Sequence, residues 1–326
     1  MKRFSVFSVS LFLFAASFWA CDDTPTEIPV TVRRLEKEIF AAKSPDELTA
    51  LFQKNPFLKS YFGAGAEVSD SLIVSQLYTN VSSQQLQQFN QSLAQQFGDL
   101  NSIQTQLQRA FGAIKASYPD FKPPQVMTAV TGFMGRDLYV SDSLIIIGLD
   151  YFGGPKATYR PQVYDYQLRR FQAEYIVPSV LFLMASRYNK INKNDNTLLA
   201  DMTWYGKGYE FVKYVLPDTP DSLVIGYSGQ QLTDVYASQE DIWAYFLDRK
   251  LLYQTRDAEK ERFLGERPST VEISQYCPGS IARWVGWRIV SKYVQETKPS
   301  LAELMANENA RVLLESSKYR GRPDEE

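Results

Sequence analysis

The chain has 326 residues, with 35 basic and 37 acidic side chains, a formal net charge of −2, two cysteines and no histidine. A near-neutral chain without a basic block excludes nucleic-acid binding and electrostatic membrane binding as its primary roles. The missing histidine excludes Ser-His-Asp and Cys-His triads and histidine-bearing zinc sites; paired carboxylates, a Lys or Tyr base, or an all-oxygen cation site remain.

The first element is an export signal. Lys2 and Arg3 precede an uncharged, mostly apolar run from Phe4 to Ala20, which stops at Cys21. A positive start, an apolar stretch and a small residue before a cysteine form the pattern of a lipoprotein signal peptide. Residues 1–20 are therefore expected to be removed, Cys21 to become the acylated first residue, and residues 21–30 to act as a flexible tether. The lipid on Cys21 is the only cofactor-like group expected. Each buried methylene contributes about 0.8 kcal/mol, so a multiply acylated cysteine anchors durably where one chain is marginal. Phe18 and Trp19 stand where such signals usually carry Leu and small residues. Cleavage after Ala15-Ala16-Ser17 and an uncleaved anchor of 17 residues, at the short limit for a bilayer span, are the competing readings. Loss of Lys2 and Arg3 leaves a net charge of −4. No later run reaches 18 uninterrupted apolar residues, so the membrane link rests on the lipid. With Cys21 acylated, Cys277 has no intramolecular partner and reads as a buried structural thiol.

Residues 31–326 read as one mainly helical domain. Ser44-Pro45-Asp46-Glu47 is a helix start with a capping box, and Leu48, Leu51 and Phe52 fall on one face before Asn55-Pro56. Ser82 with Gln85 predicts a second start, followed by Leu86, Phe89, Leu93 and Phe97 at helical spacing. Ile103, Leu107, Ala110, Phe111 and Ile114 mark a third helix, and this glutamine-rich stretch reads as a solvated helical pair. After Pro123-Pro124 the period changes to that of strands: Gln125–Thr131, Asp137–Val140 and Ser143–Asp150, with Ser141-Asp142 as a turn and Gly153-Gly154-Pro155 as the close. These make one small sheet of three or four strands. The later segments read as helices: Tyr164–Tyr175, a buried Ser179–Asn189 that is apolar nearly all round, Leu198–Val215, one capped by Ser238, one opened by Pro278-Gly279, and a last pair started by Ser300 with Glu303. The fold class expected is α+β, predominantly α-helical with one small β-sheet in the middle of the chain.

Several of these blocks carry a resemblance: AFGAIKASYPDFKPPQV (110–126), DSLIIIGLDYFGG (142–154), RRFQAEYIVPSV (169–180), WYGKGYEFVKYVLPD (204–218), EDIWAYFLDRKLLY (240–253), CPGSIARWVGWRIVSKYV (277–294) and VLLESSKYRGR (312–322). Together they resemble the gliding-motility lipoprotein GldB family, in order along nearly the whole mature chain. The resemblance implies an envelope lipoprotein needed for gliding and connected with type IX secretion, without an established reaction. A second resemblance, of fold, is to zincin metallopeptidases, in which a buried helix carries H-E-x-x-H and a later E-G-x-A-like block supplies the third ligand. Here the buried helix has Val180-Leu181-Phe182-Leu183-Met184, and Lys207 of Gly206-Lys207-Gly208-Tyr209 stands at the third ligand's place. That implies a degenerate zincin-like scaffold without its metal site.

The polar candidates are Asp150, at the end of an apolar strand; Glu174, in an apolar segment beside Arg169 and Arg170; Lys207; and Glu240. Arg283 and Trp287 are candidates for a partner-binding surface, because Ile281, Trp284 and Arg288 take the core side of the same helix and leave one Trp exposed. For Glu174 the structural reading is an ion pair with Arg169, Arg170 or a distant base, and for Asp150 a turn cap. The leading expectation is a non-enzymatic, lipid-anchored component of the gliding and secretion machinery, held at the outer membrane and binding other envelope proteins but no nucleic acid. The alternative is an envelope hydrolase or glycan-binding protein using Asp150 with Glu174 or Glu240, which needs two carboxyls about 5–10 Å apart in an open cleft.

Overall fold

A computed structural model of the chain describes residues 27–62 and 69–322. The expected signal peptide, Cys21 and the expected tether up to Thr26 lie outside these residues.

The chain enters through β1 (Val32–Arg34) and passes directly into α1 (Leu35–Ala41). α2 (Pro45–Lys54) starts at Ser44, whose hydroxyl accepts from the Glu47 N–H at 3.3 Å, while the Glu47 carboxylate accepts from the Lys43 N–H instead of closing on Ser44. α3 (Leu58–Tyr61) and α4 (Asp70–Ser82) occupy a stretch with no expected element. α5 (Gln84–Phe97) begins one residue later than expected: Ser82 is still helical and ends α4, so Ser83 is the cap and accepts from the Leu86 N–H. α6 (Asn101–Ser117) follows. α5 and α6 are not a solvated pair. Leu86, Phe89 and Leu93 of the first, and Ile103, Leu107 and Phe111 of the second, are buried in the main core, and α6 packs against the later helices α8 and α9 described below.

β2 (Gln125–Ala129), β3 (Leu138–Val140) and β4 (Leu144–Gly148) come next, joined to a 3-10 turn over Leu149–Phe152. The sheet is mixed, in the order β1-β2-β4-β3, with β1 and β4 both parallel to β2 and only β3 antiparallel. Its fourth strand, β1, comes from the start of the domain and not from the middle of the chain. Val32-Arg33-Arg34 is too short and charged to announce itself, and its register with Val126–Thr128 is set by a partner far along the sequence. The apolar run of β4 has a simple cause. Ile145 and Ile147 face the main core, whereas Leu144 and Ile146 join Met127, Ala129 and the buried Tyr61 of α3 on the opposite face. Covered on both faces, the strand cannot alternate apolar with polar.

The helix expected over Tyr164–Tyr175 is broken. α7 (Asp165–Leu168) ends early because Gln172 forms a bridge with Gly153 and the Phe171 carbonyl accepts from the Gly154 N–H at 3.1 Å. A 3-10 turn at Ala173–Tyr175 then leads into α8 (Ile176–Ala185), which is apolar nearly all round, as its sequence requires. α9 (Leu198–Val215), α10 (Asp221–Ile225), α11 (Gly229–Ala237), α12 (Gln239–Asp248), α13 (Asp257–Leu264), α14 (Ile281–Thr297), α15 (Leu301–Ala306) and α16 (Ala310–Ser317) complete the order. The Ser300–Glu303 capping box of α15 is present in both directions. The fold is α+β and predominantly helical, and one hydrophobic cluster runs through it from Val30 to Tyr319.

α9 and α14 form the central helix pair. Gly206 and Gly286 face each other across it: a Cβ on Gly286 would lie 2.0 Å from the Met202 carbonyl oxygen, and one on Gly206 would lie 2.4 Å from the Gly286 carbonyl oxygen. Two glycines thus let the backbones touch, and the flanking Trp284 and Trp287 fill the space beside the contact.

Candidate functional site

Asp150 sits on the 3-10 turn after β4 and is fully buried. The loop following β2 wraps its carboxylate, so that Oδ2 accepts from the Thr131 N–H at 3.0 Å and the Phe133 N–H at 2.8 Å. Oδ1 is buried and has no hydrogen-bond partner among the described residues. Burial pushes the Asp150 carboxyl above its ordinary value of 3.8, and the two backbone donors act against that shift. The arrangement clamps the turn between β2 and β3. A raised pKa means that the native state holds this proton more tightly than the unfolded chain. Stability from this group is therefore largest at acid pH and falls as pH rises from 3.8 through the raised native value. In urea melts, Asp150→Asn should thus gain on the wild type as pH increases from 4 to 7. Asp150→Ala, which leaves the Thr131 and Phe133 N–H groups without their acceptor, should lose about 2–4 kcal/mol at pH 4 and less as pH rises.

The other sequence candidates do not gather around it. Lys207, on α9, is 2 % exposed and faces no ligand space. Its Nζ donates to the carbonyls of Lys190 and Asn307 at 2.7 Å each and to that of Met305 at 3.5 Å, so it ties the end of α15 and the loop after α8 to α9. Glu240 is exposed on α12 and pairs with Arg322 at 3.4 Å. The expected Glu174–arginine pair is not formed: Glu174 is exposed, Arg170 pairs with Glu266, and Arg169 donates to the Gly226 carbonyl at 2.7 Å. The carboxyls of Asp150, Glu174 and Glu240 share no cleft. Trp287 is corrected from exposed to buried. It is 1 % exposed, and its indole N–H donates to Glu210 Oε1 at 2.8 Å. The reason is that α14 packs against α9, α13 and α16, so its apolar surface is wider than one helical stripe. Arg283 is half-buried, donating from Nε to the Leu264 carbonyl at 2.7 Å and lying 4.3 Å above the Tyr205 ring.

An open cleft lies elsewhere, with a volume of about 1220 Å³ between the start of α6, the end of α9 and the Ala173–Tyr175 turn. Leu100, Ile103, Val215, Leu216 and Leu223 give it an apolar floor, and Tyr214 stands half-exposed on its wall. Four carboxylates surround it, from Glu27, Asp99, Glu174 and Asp218, against one guanidinium, that of Arg109, which pairs with Glu27 at 3.4 Å. Glu174 is the one sequence candidate that lines it. Glu27 is the first described residue, so the chain enters the fold at the rim of this cleft; the Ile28 N–H fixes that entry by donating to the Gln108 carbonyl at 3.3 Å.

Two features escaped sequence reasoning. The cleft is assembled from four separated segments, none with a motif. Arg169, Arg170 and Arg283 converge in a second, smaller pocket, for which the Arg169-Arg170 doublet beside an apolar helix was the available signal. No group of three or more metal-ligating side chains occurs among the described residues, and no described helix is long and apolar enough to cross a membrane.

No curated protein and no solved structure matches the chain, so the zincin likeness gains no support from a known fold. The sequence model of the gliding motility protein GldB family matches residues 19–321, from just before Cys21 to just beyond α16. With a match over most of its length, the chain belongs to the gliding motility protein GldB family.

Proposed function

We propose that this chain is a cell-envelope lipoprotein, held at the outer membrane through acyl chains on Cys21, that serves gliding motility without catalysis by binding other proteins of the gliding and type IX secretion machinery. Membership of a gliding-motility lipoprotein family supports the setting. The observation that carries the binding role is the position of Glu27 on the rim of the acidic, apolar-floored cleft. Five residues separate Cys21 from Glu27, and the six steps along the chain between them reach at most about 20 Å. An anchor at Cys21 would therefore hold this cleft close to the membrane surface. Its charge and its apolar floor suit one kind of occupant, a basic segment with apolar side chains from an envelope partner near the membrane.

Deletion of the gene should abolish spreading, and an exported Cys21→Ala protein should restore little of it. Full rescue by that protein sinks the anchored reading. Within the cleft, Glu174→Lys combined with Asp218→Lys reverses two exposed charges and touches no buried group. The double variant should reduce spreading several-fold while its melting temperature stays within a few degrees of the wild type. Normal spreading by a charge-reversed protein would reject the cleft as the docking site.

A further inference from the structure

A second pocket lies between α7 and the start of α14, and its walls are arginines. Arg169, Arg170, Arg267 and Arg283 line it, with Glu266 as the one carboxylate among the lining side chains. Glu266 is engaged by Arg170 and accepts from Gln167 Nε2 at 3.0 Å, while Arg267 is taken by Glu272 at 3.0 Å. Two positive charges are then left without a carboxylate partner among the described residues. Arg169 uses one nitrogen on the Gly226 carbonyl, and its Nε is buried with no hydrogen-bond partner. Arg283 donates from Nε to the Leu264 carbonyl, lies over the Tyr205 ring and hydrogen-bonds the Tyr209 side chain, none of which neutralises its charge. The guanidiniums stand close enough that Arg169 and Arg283 both disfavour the charge on Arg170.

The backbone adds a third positive contribution. Gly279 and Ser280 line the same pocket and open α14, a helix of 17 residues. The Ser280 hydroxyl donates to the Gly265 carbonyl at 2.9 Å and does not cap the helix, so its side chain offers nothing to the first-turn N–H groups. An uncapped helix start favours an anion, and planar guanidinium forks match the oxygens of a tetrahedral one. Charges of one sign drawn together at a partly buried place cost stability unless something compensates them.

We infer that the pocket formed by Arg169, Arg170, Arg283 and the start of α14 binds a phosphate group carrying two negative charges, borne either by a lipid headgroup or by a soluble phosphate. Two unpaired guanidiniums balance that charge, and the helix start supplies donors for the remaining oxygens.

The test uses the full-length protein in maltoside micelles, titrated calorimetrically with inorganic phosphate at constant ionic strength set by chloride. Saturable binding is expected, weakened at least tenfold by Arg169→Gln. Glu266→Gln removes the carboxylate that competes for Arg170 and should tighten binding several-fold, a gain that a folding defect cannot imitate. A second arm uses the full chain carrying Cys21→Ala, sedimented with vesicles of phosphatidic acid or of phosphatidylcholine. Selective co-sedimentation with phosphatidic acid, reversed by inorganic phosphate, assigns the group to a headgroup. Phosphate binding without vesicle binding assigns it to a soluble ester. Absence of both, or affinities that neither Arg169→Gln nor Glu266→Gln alters, overturns the inference.

Discussion

Replacing Gly286 with valine is expected to destabilise the protein by on the order of 4–5 kcal/mol, and to leave little folded material at physiological temperature. The first added carbon would sit 2.0 Å from the Met202 carbonyl oxygen and 2.4 Å from its carbon, both backbone atoms of α9. No rotamer relieves a clash with backbone, so α9 and α14 must separate. Separation would then open gaps around Trp284 and Trp287, which lie among the largest fully buried side chains, and loosen the Trp287–Glu210 hydrogen bond. Gly229→Ala is the natural control, because nothing lies within 4 Å of the added carbon. It should be neutral or stabilise by a few tenths of a kcal/mol. Thermal melts of the two variants decide the matter: similar melting temperatures would show that the helix contact tolerates a side chain and that its closeness is incidental.

Lys207→Met is expected to lose about 2–4 kcal/mol at pH 7, since the methionine fills the space but leaves the Lys190 and Asn307 carbonyls without the donor they share. The pH dependence distinguishes this cause from lost packing. Burial pushes the Lys207 ammonium down to about 8 from its ordinary 10.5, with Glu308 pulling the other way. Between those values the unfolded chain keeps a proton that the native state has released, so the wild type gains stability as pH rises through that window. The methionine variant lacks the group and should not share the gain. The difference between the two proteins should therefore widen from pH 8 to 10.5, by up to about 3 kcal/mol. Urea melts at four pH values in that range would measure it, and a constant difference would show that Lys207 holds its proton throughout. Either result bears on the zincin likeness. A lysine that staples α9 to the segments after α8 and α15 has a structural task at the place where the likeness puts a metal ligand.

Much of the fold is legible one segment at a time. Ser44 and Ser300 start helices because their hydroxyls reach N–H groups three residues on, and that geometry is complete within four residues. The apolar period over Leu198–Val215 marks α9 to the residue. The run from Leu144 to Gly148 signals a strand covered on both faces before either cover is known. One misreading at this level is small and local, the cap that moved from Ser82 to Ser83 because α4 remains helical for one more residue, whereas the break in the Tyr164–Tyr175 helix comes from the distant Gly153.

The candidate sites were far less legible, because each depends on which distant segments meet. Trp287 lies outside the expected core stripe, yet α9 arrives on its side and buries it. Glu174 has arginines next to it in sequence, but they turn to Glu266 and Gly226 and leave it on a cleft wall. Thus the sequence by itself determined the family, the helix starts and the covered strand, which are written in short stretches of residues. Tertiary structure alone decided that β1 joins the sheet, that Lys207 is a staple, and that an acidic cleft and an arginine pocket exist. Hydrogen bonds and charges between remote residues depend on three-dimensional distance, and periodicity along the chain carries no record of it.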